Sequence, residues 1–192
     1  KQSVLDIVAV GDSVDFEMSD VDTGVITSID ERKNHISRKA PKIKGSTFRG
    51  ERLEQVVASN IDNFFIIASC DQPRFNNRVI DRFLVVAESN KINPIIVINK
   101  IDLDDENFIT PWVKLYKKIG YTVITTSVEE NKNIDKISKI LKGKTSIFWG
   151  QSGVGKSSLL NAIFPDLDLR IGDVSDYNNK GRHTTVSVRM YE

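Results

Sequence analysis

Residues 150–157 combine residue types that bind phosphate. They read Gly150-Gln151-Ser152-Gly153-Val154-Gly155-Lys156-Ser157, which matches the phosphate-loop pattern Gly-x-x-x-x-Gly-Lys-Ser. A β-prone run precedes them at residues 145–149, and apolar residues at helical spacing follow at residues 158–164. A glycine-rich turn between a strand and a helix directs several backbone N–H groups to one point, where a polyphosphate can bind. The pattern therefore predicts a nucleoside triphosphate site.

Two side chains of this loop carry the expected chemistry. The Lys156 ammonium would neutralise the β and γ phosphates, and the Ser157 hydroxyl would ligate Mg²⁺. Ser158, the next residue of the predicted helix, is a further candidate for phosphate binding. We therefore expect a nucleotide and Mg²⁺ as the bound groups.

An alternation of strands and helices positions the loop. Three apolar strands are predicted at residues 63–69, 94–98 and 121–126, and three helices at residues 76–89, 107–120 and 134–141. A fourth strand enters the phosphate loop. This order is typical of an α/β domain with a mostly parallel sheet and helices on both faces. Ligands of such sheets lie beyond the carboxyl ends of the strands.

A base-reading motif stands at one of these carboxyl ends. Asn99-Lys100-Ile101-Asp102 follows the second strand, and it matches the Asn-Lys-x-Asp element by which GTPases read guanine. Asp102 would accept hydrogen bonds from N1–H and the 2-amino group, a donor pair that adenine lacks. Asn99 would bond the base edge, and the Lys100 stem would cover its face. Ser127 and Val128 follow the third strand, where GTPases contact the guanine oxygen through a backbone N–H.

The order of the motifs departs from that of Ras-like GTPases, in which the phosphate loop comes first. Here Asn99 precedes Lys156 in the chain. A circular permutation keeps the same sheet, because the termini of a domain often lie close together. Residues 180–185 then occupy the place of switch I, where a threonine hydroxyl completes the Mg²⁺ shell.

The N-terminal part is predicted to be all β. Short strands are expected at residues 12–17, 24–29, 35–38 and 52–58, which indicates a small barrel, OB-like or SH3-like. We place this domain at residues 1–58, incomplete at its N-terminus, and the permuted nucleotide domain at residues 59–192. A basic stretch without acidic residues is either a solvated loop or a phosphate-contacting loop; its cations are Arg38, Lys39, Lys42, Lys44 and Arg49.

Composition narrows the class of protein. The 192 residues carry a net charge of +1, so the chain as a whole does not attract nucleic acid by its charge. No apolar run reaches the length of a membrane span, and the N-terminus shows no signal peptide. Cys70 is the one cysteine and is expected at a strand end rather than as a reactive thiol. We expect a cytoplasmic protein that does not contact membranes.

Together these motifs resemble the circularly permuted bacterial GTPases of the RsgA (YjeQ) type, which act in maturation of the small ribosomal subunit. The resemblance rests on Asn-Lys-Ile-Asp at 99–102, the phosphate loop and Gly-Arg-His-Thr-Thr at 181–185, behind a small β domain. It extends to Asn-Ile-Asp at 60–62 and Ile-Asp-Arg-Phe-Leu at 80–84.

The resemblance implies a function and further site residues. It implies GTP hydrolysis to GDP and phosphate, stimulated by the 30S subunit, and an OB fold that contacts 16S rRNA through the basic stretch. His183 stands where the family orients the attacking water, and a neutral imidazole can accept that hydrogen. Thr184 and Thr185 are the threonine candidates for the Mg²⁺ shell beside Ser157. A monomer is expected.

Two departures from the family pattern qualify these expectations. Potassium-activated relatives carry asparagine where this chain has Gly153, so no potassium site is predicted. The family continues with an Asp-x-Pro-Gly segment and a zinc domain rich in Cys and His, and neither occurs before Glu192. We therefore expect a truncated form that hydrolyses GTP weakly on its own, with Zn²⁺ implied only for the missing domain. The alternatives are an RNA-binding module with a nucleotide-switched site and a P-loop ATPase or kinase.

Overall fold

The chain forms two compact units. The computed structural model describes residues 8–39, 54–169 and 190–191. One unit comprises residues 1–61 and 182–192, and the other comprises residues 62–181.

The first unit consists of antiparallel strand pairs. Strand β1 (Val14–Met18) pairs with β2 (Gly24–Ile29), and β3 (His35–Lys39) pairs with β4 (Glu54–Ser59). Each pair contains an irregularity in register, which increases the local twist. The four predicted strands are confirmed to within two residues at their ends. Closure of these pairs into an OB-like barrel, and the domain boundary at residue 58, stay predictions.

Buried polar side chains hold this unit together. Arg32 donates from Nε and Nη2 to the two carboxylate oxygens of Asp12, both at 2.8 Å, and the Ser59 hydroxyl donates to the same carboxylate at 2.6 Å. The Arg32 guanidinium holds the pKa of the Asp12 carboxyl well below its usual range. The Asn34 side chain bonds both the N–H and the carbonyl of Ile61, each at 2.8 Å, as a neighbouring strand would.

The second unit is built on a four-stranded parallel sheet. Its strands are β5 (Asn63–Ser69), β6 (Asn93–Asn99), β7 (Thr122–Thr125) and β8 (Ser146–Gly150), in the spatial order β7-β6-β5-β8. Its helices are α1 (Asn77–Ser89), α2 (Thr110–Lys118), α3 (Ile134–Leu141) and α4 (Lys156–Ile163). Short 3₁₀ turns occupy Ile101–Leu103 and Pro165–Leu167. The predicted parallel α/β sheet is confirmed.

Both faces of this sheet are covered. Strand β5, which lies between β6 and β8, is therefore buried along its whole length. On one face Phe65 and Ile67 of β5 pack in a core cluster with Ile137 of α3 and Leu159 of α4. On the other face Phe64 packs against aromatic rings of α1 and β8, with 6.2 Å between its ring centroid and that of Phe83. Alternate residues of a strand point to opposite faces, so a continuous apolar run is what this position requires.

The helix boundaries agree with the sequence except at α2. Its predicted start at residue 107 is wrong, and the helix begins at Thr110. The residues before it form a 3₁₀ turn and a loop, and Pro111 occupies the first turn of the helix, where its missing N–H costs no hydrogen bond. Among the described helices none has the length and apolar character needed to cross a membrane.

Candidate functional site

The carboxyl ends of the four parallel strands bring the predicted motifs to one edge of the sheet. These strands end at Ser69, Asn99, Thr125 and Gly150. The phosphate loop, the Asn-Lys-Ile-Asp segment and the segment at residues 126–128 follow three of these ends directly. Motifs far apart in the chain are therefore neighbours in space, as the sheet rule predicts.

The phosphate loop requires glycine for both conformation and space. Gly153 and Gly155 have φ angles of +83° and +91°, in the left-handed region that side chains disfavour. A Cβ at Gly155 would overlap Nδ2 of Asn99, and a Cβ at Gly150 would overlap the carbonyl oxygen of Ile67. The backbone N–H groups of Gly153 and Gly155 find no acceptor in the described part of the chain. They are free to bind an anion.

The Lys156 side chain folds back onto the first residues of this loop. Its Nζ donates to the carbonyl oxygens of Gly150 and Gln151, at 2.9 and 2.7 Å. Burial lowers the pKa of the Lys156 ammonium, since a charged group loses solvation there. Within the described ranges no carboxylate pairs with this cation. A partly buried cation held only by neutral oxygens fits a site whose anion is a polyphosphate.

Asn99 joins the base-reading motif to the phosphate loop. Its side chain is 1% exposed, and its Nδ2 donates to the carbonyl oxygen of Val154 at 3.0 Å. Its Oδ1 accepts from the Thr126 hydroxyl, also at 3.0 Å. One amide hydrogen of Nδ2 remains for a ligand. Sequence reasoning assigned Asn99 to the base edge; the structure adds a structural role that links three strand ends.

Asp102 is held by the segment that follows β7. The Ser127 hydroxyl donates to Asp102 Oδ1 at 2.5 Å and accepts from the backbone N–H of Glu130 at 3.1 Å. The backbone N–H of Ile101 donates to the carbonyl of Thr126 at 3.2 Å. These bonds fix the turn that carries the Asp102 carboxylate and leave its second oxygen available. The backbone contact predicted for Ser127 and Val128 stays a prediction.

Lys100 is the link to a loop that sequence reasoning did not include. It adopts a left-handed conformation with φ of +61°, and its Nζ donates to the carbonyl of Gln72. Its own carbonyl accepts from the Cys70 thiol at 2.9 Å. Burial, together with the nearby carboxylate of Asp104, raises the pKa of that thiol to about 11. Cys70 therefore packs beneath the base-reading turn as a neutral thiol.

Of the other predicted site residues, the structure describes some and not others. Ser157 and Ser158 lie half-buried in the first turn of α4, and their roles in binding Mg²⁺ and phosphate stay predictions. His183, Thr184 and Thr185 lie outside the described residues, as do Lys42, Lys44 and Arg49. Arg38 and Lys39 belong to β3. In the described ranges no three His, Cys, Asp or Glu side chains form a group that could hold a metal.

Two residues that contact the site had no role in the sequence-based prediction. Cys70 bonds the Lys100 carbonyl, and Gln72 accepts from Lys100. Both lie just beyond the carboxyl end of β5, and that position was the available signal. Thr126, which the predicted third strand includes, bonds Asn99.

Comparison with known proteins agrees with this geometry. A protein-family model described as RsgA GTPase matches residues 29–192. The small ribosomal subunit biogenesis GTPase RsgA of Flavobacterium johnsoniae is 41% identical over 194 residues, covering 96% of this chain and 57% of the relative. The protein of the same name from Chlorobaculum tepidum is 38% identical over 190 residues, covering 97% and 60%.

Two solved structures share the fold. YjeQ from Thermotoga maritima is 34% identical with a TM-score of 0.68, over 85% of this chain and 53% of that one. YloQ, described as a circularly permuted GTPase, is 37% identical with a TM-score of 0.60, over 82% and 50%. The chain thus spans between half and two thirds of the length of these relatives. The matched motifs, their order in the chain and the shared fold establish that this protein belongs to the RsgA family of circularly permuted GTPases.

Proposed function

We propose that the protein binds guanine nucleotides and hydrolyses GTP to GDP and phosphate. The observation that carries this proposal is the hydrogen bond from Asn99 to the Val154 carbonyl, because it fixes a base-reading motif against a phosphate loop. A phosphate loop alone would accept many nucleotides. The adjoining Asp102, held by Ser127, supplies a carboxylate suited to the N1–H and 2-amino donors of guanine.

The phosphate half of the site acts through positioning and charge. Lys156, whose ammonium donates to the Gly150 and Gln151 carbonyls, would hold the phosphate oxygens and neutralise their charge. Ser157 and one of Thr184 and Thr185 would hold Mg²⁺, which neutralises charge on the phosphates when bound. No covalent intermediate is needed, since in-line attack by water depends on orientation and charge neutralisation.

His183 is proposed as the residue that orients the attacking water. Support comes from its place in Gly-Arg-His-Thr-Thr, beside the threonines of the switch I segment. A neutral imidazole nitrogen accepts a hydrogen from water near neutral pH. The replacement His183→Ala is expected to lower turnover and leave GDP affinity nearly unchanged.

The partner proposed for this activity is the small ribosomal subunit. The named relatives are small ribosomal subunit biogenesis GTPases, and they match nearly the whole of this chain. We propose contacts to 16S rRNA from the basic stretch of the first unit, in which Lys39 and its neighbours carry positive charge without acidic residues. A monomer that acts in the cytoplasm during late maturation of the subunit fits this assignment.

Single-turnover GTP hydrolysis, measured with and without purified 30S subunits, tests the proposal. We expect 30S subunits to raise the rate and His183→Ala to remove most of that increase. His35→Ala is the matched control, because His35 is the other histidine of the chain and lies on β3. Nucleotide binding without any 30S-dependent hydrolysis would instead indicate a nucleotide-switched RNA-binding module.

A further inference from the structure

The loop between β5 and α1 bonds the base-reading motif and lies beside the phosphate loop. It comprises residues 70–75, Cys70-Asp71-Gln72-Pro73-Arg74-Phe75, and is called the bridging loop below. It follows β5, which lies between β6 and β8 in the sheet. It therefore emerges between the base-reading motif after β6 and the phosphate loop after β8. None of the sequence motifs includes it.

On the base side, the bridging loop holds Lys100 at two points. The Lys100 ammonium donates to the Gln72 carbonyl, and the Lys100 carbonyl accepts from the Cys70 thiol at 2.9 Å. The Cys70 backbone N–H also donates to the Asn99 carbonyl at 3.0 Å. These contacts fix the backbone immediately before Asp102, and the direction of the Lys100 stem.

On the phosphate side, the bridging loop lies beside Gly153. A Cβ built at Gly153 would lie 3.4 Å from Cδ of Pro73, so the proline ring stands about one methyl group away from the turn of the phosphate loop. The Pro73 carbonyl is itself held, because it accepts from the Ser69 hydroxyl at 2.6 Å. The position of Pro73 is thereby tied to the end of β5.

Phe75 anchors the far end of the bridging loop. Its backbone N–H closes the loop by donating to the Cys70 carbonyl at 3.1 Å. Its ring packs among aromatic rings, with centroid distances of 5.6 Å to Trp112 on α2 and 6.2 Å to Phe108. Phe108 is 47% exposed, whereas Trp112 stacks on the buried Tyr116, so this cluster runs from the surface to the edge of the core. Packing of the Phe75 ring in this cluster ties the end of the bridging loop to α2.

We infer that the bridging loop is a positioning element for the guanine nucleotide and that Phe75 is the positioning residue that fixes it. The inference rests on the proposed guanine-nucleotide function. Without the Phe75 ring, Gln72 and Cys70 lose their fixed position, and Lys100 and Asp102 lose theirs in turn. We expect the preference for guanine to fall more than the stability of the fold, since hydrogen bonds weaken steeply when donor and acceptor are misaligned.

Affinities for GDP and inosine diphosphate test this inference. Inosine diphosphate lacks the 2-amino group, so the ratio of its Kd to that of GDP reports how well Asp102 is aligned. For Phe75→Ala we expect this ratio to fall about fivefold, because a small misplacement of a binding group has a large effect. Phe75→Tyr keeps the ring and should restore the ratio. Phe164→Ala removes a ring of 43% exposure outside the cluster and should leave the ratio unchanged.

The outcomes separate the two proposals. A native protein that binds both diphosphates equally would contradict the proposed guanine site itself. A native protein that prefers GDP, together with a folded Phe75→Ala variant that keeps the full preference, would overturn the role of Phe75. If Phe75→Ala does not fold, Phe75→Leu takes its place, and an unchanged ratio there overturns the inference in the same way.

Discussion

The side-chain amide of Asn99 donates a hydrogen bond to the backbone carbonyl of Val154, with 3.0 Å between Nδ2 and oxygen. The two residues are 55 positions apart in the chain and belong to different motifs. The bond leaves no room for a Cβ at Gly155, so the glycine of the phosphate loop and the asparagine of the base-reading motif depend on each other. The residues proposed to read the base and those proposed to bind the phosphates are therefore parts of one structure.

Replacement of Asn99 by alanine should lower both the stability of the protein and its affinity for GDP. It leaves the Val154 carbonyl and the Thr126 hydroxyl without their buried partner, at a cost of about 1–3 kcal/mol in the free energy of unfolding. We expect GDP affinity to fall by about tenfold or more. Asn93→Ala is the matched control, because Asn93 lies at the other end of β6 and bonds Asn63. An Asn93→Ala variant that loses as much GDP affinity would contradict this account. Urea unfolding and calorimetric titration provide the two measurements.

Replacement of Asp102 by asparagine should change the preferred base. In the proposed site the carboxylate would accept two hydrogen bonds from guanine, whereas an amide offers one donor and one acceptor group. We expect GDP affinity to fall by about tenfold or more and affinity for xanthosine diphosphate, which carries oxygen in place of the 2-amino group, to rise. Asp104→Asn is the control, since the Asp104 carboxylate accepts from the Ile109 N–H outside the motif. Equal losses in the two variants would argue against base reading by Asp102.

Replacement of Lys156 by methionine should lower nucleotide affinity without lowering the stability of the nucleotide-free protein. We expect GDP affinity to fall by about a hundredfold, because charge-assisted bonds to phosphate are lost. The nucleotide-free variant should be at least as stable as the native protein, because burial lowers the pKa of Lys156 and the charged form therefore opposes folding. The native protein should also gain stability relative to the variant as alkaline pH rises, since the unfolded state then binds more protons. Lys114→Met, on the exposed face of α2, is the control for both measurements.

The thiol of Cys70 should make the protein sensitive to alkaline pH. Its pKa is raised from an ordinary value of 9.0 to about 11 in the folded protein. The unfolded state therefore loses its proton first, and stability falls between these pH values by up to about 1.4 kcal/mol per pH unit. Urea unfolding of the native protein and of Cys70→Ala across this range measures the difference. A constant difference between them would contradict burial of a neutral thiol beneath Lys100.

Much of the nucleotide domain could be predicted because its signals are local. The apolar run at residues 63–69 is strand β5 with the predicted bounds, and the helix at residues 134–141 is α3. The site motifs follow buried strands, so the sheet rule brings Asn99 and the phosphate loop together without knowledge of tertiary contacts.

The bridging loop could not be predicted in this way. Its contacts depend on pairs such as Lys100 with Gln72 and Phe75 with Trp112, which are distant in sequence and follow no periodic pattern. The start of α2 differs from the prediction for a related reason, because Asn107 adopts a left-handed conformation with φ of +54° and the Ile109 N–H donates to the Asp104 carboxylate instead of entering a longer helix. Local propensity does not carry that information.

Competition for the nucleotide site tests the central claim most directly. Fluorescently labelled GDP is bound to the protein and displaced by increasing concentrations of unlabelled GTP or ATP. If Asp102 and Asn99 read guanine beside the phosphate loop, GTP will displace the label at concentrations at least about a hundredfold lower than ATP, since adenine lacks the N1–H and 2-amino donors that would pair with the Asp102 carboxylate. Displacement by ATP at the same concentrations as GTP would contradict the claim.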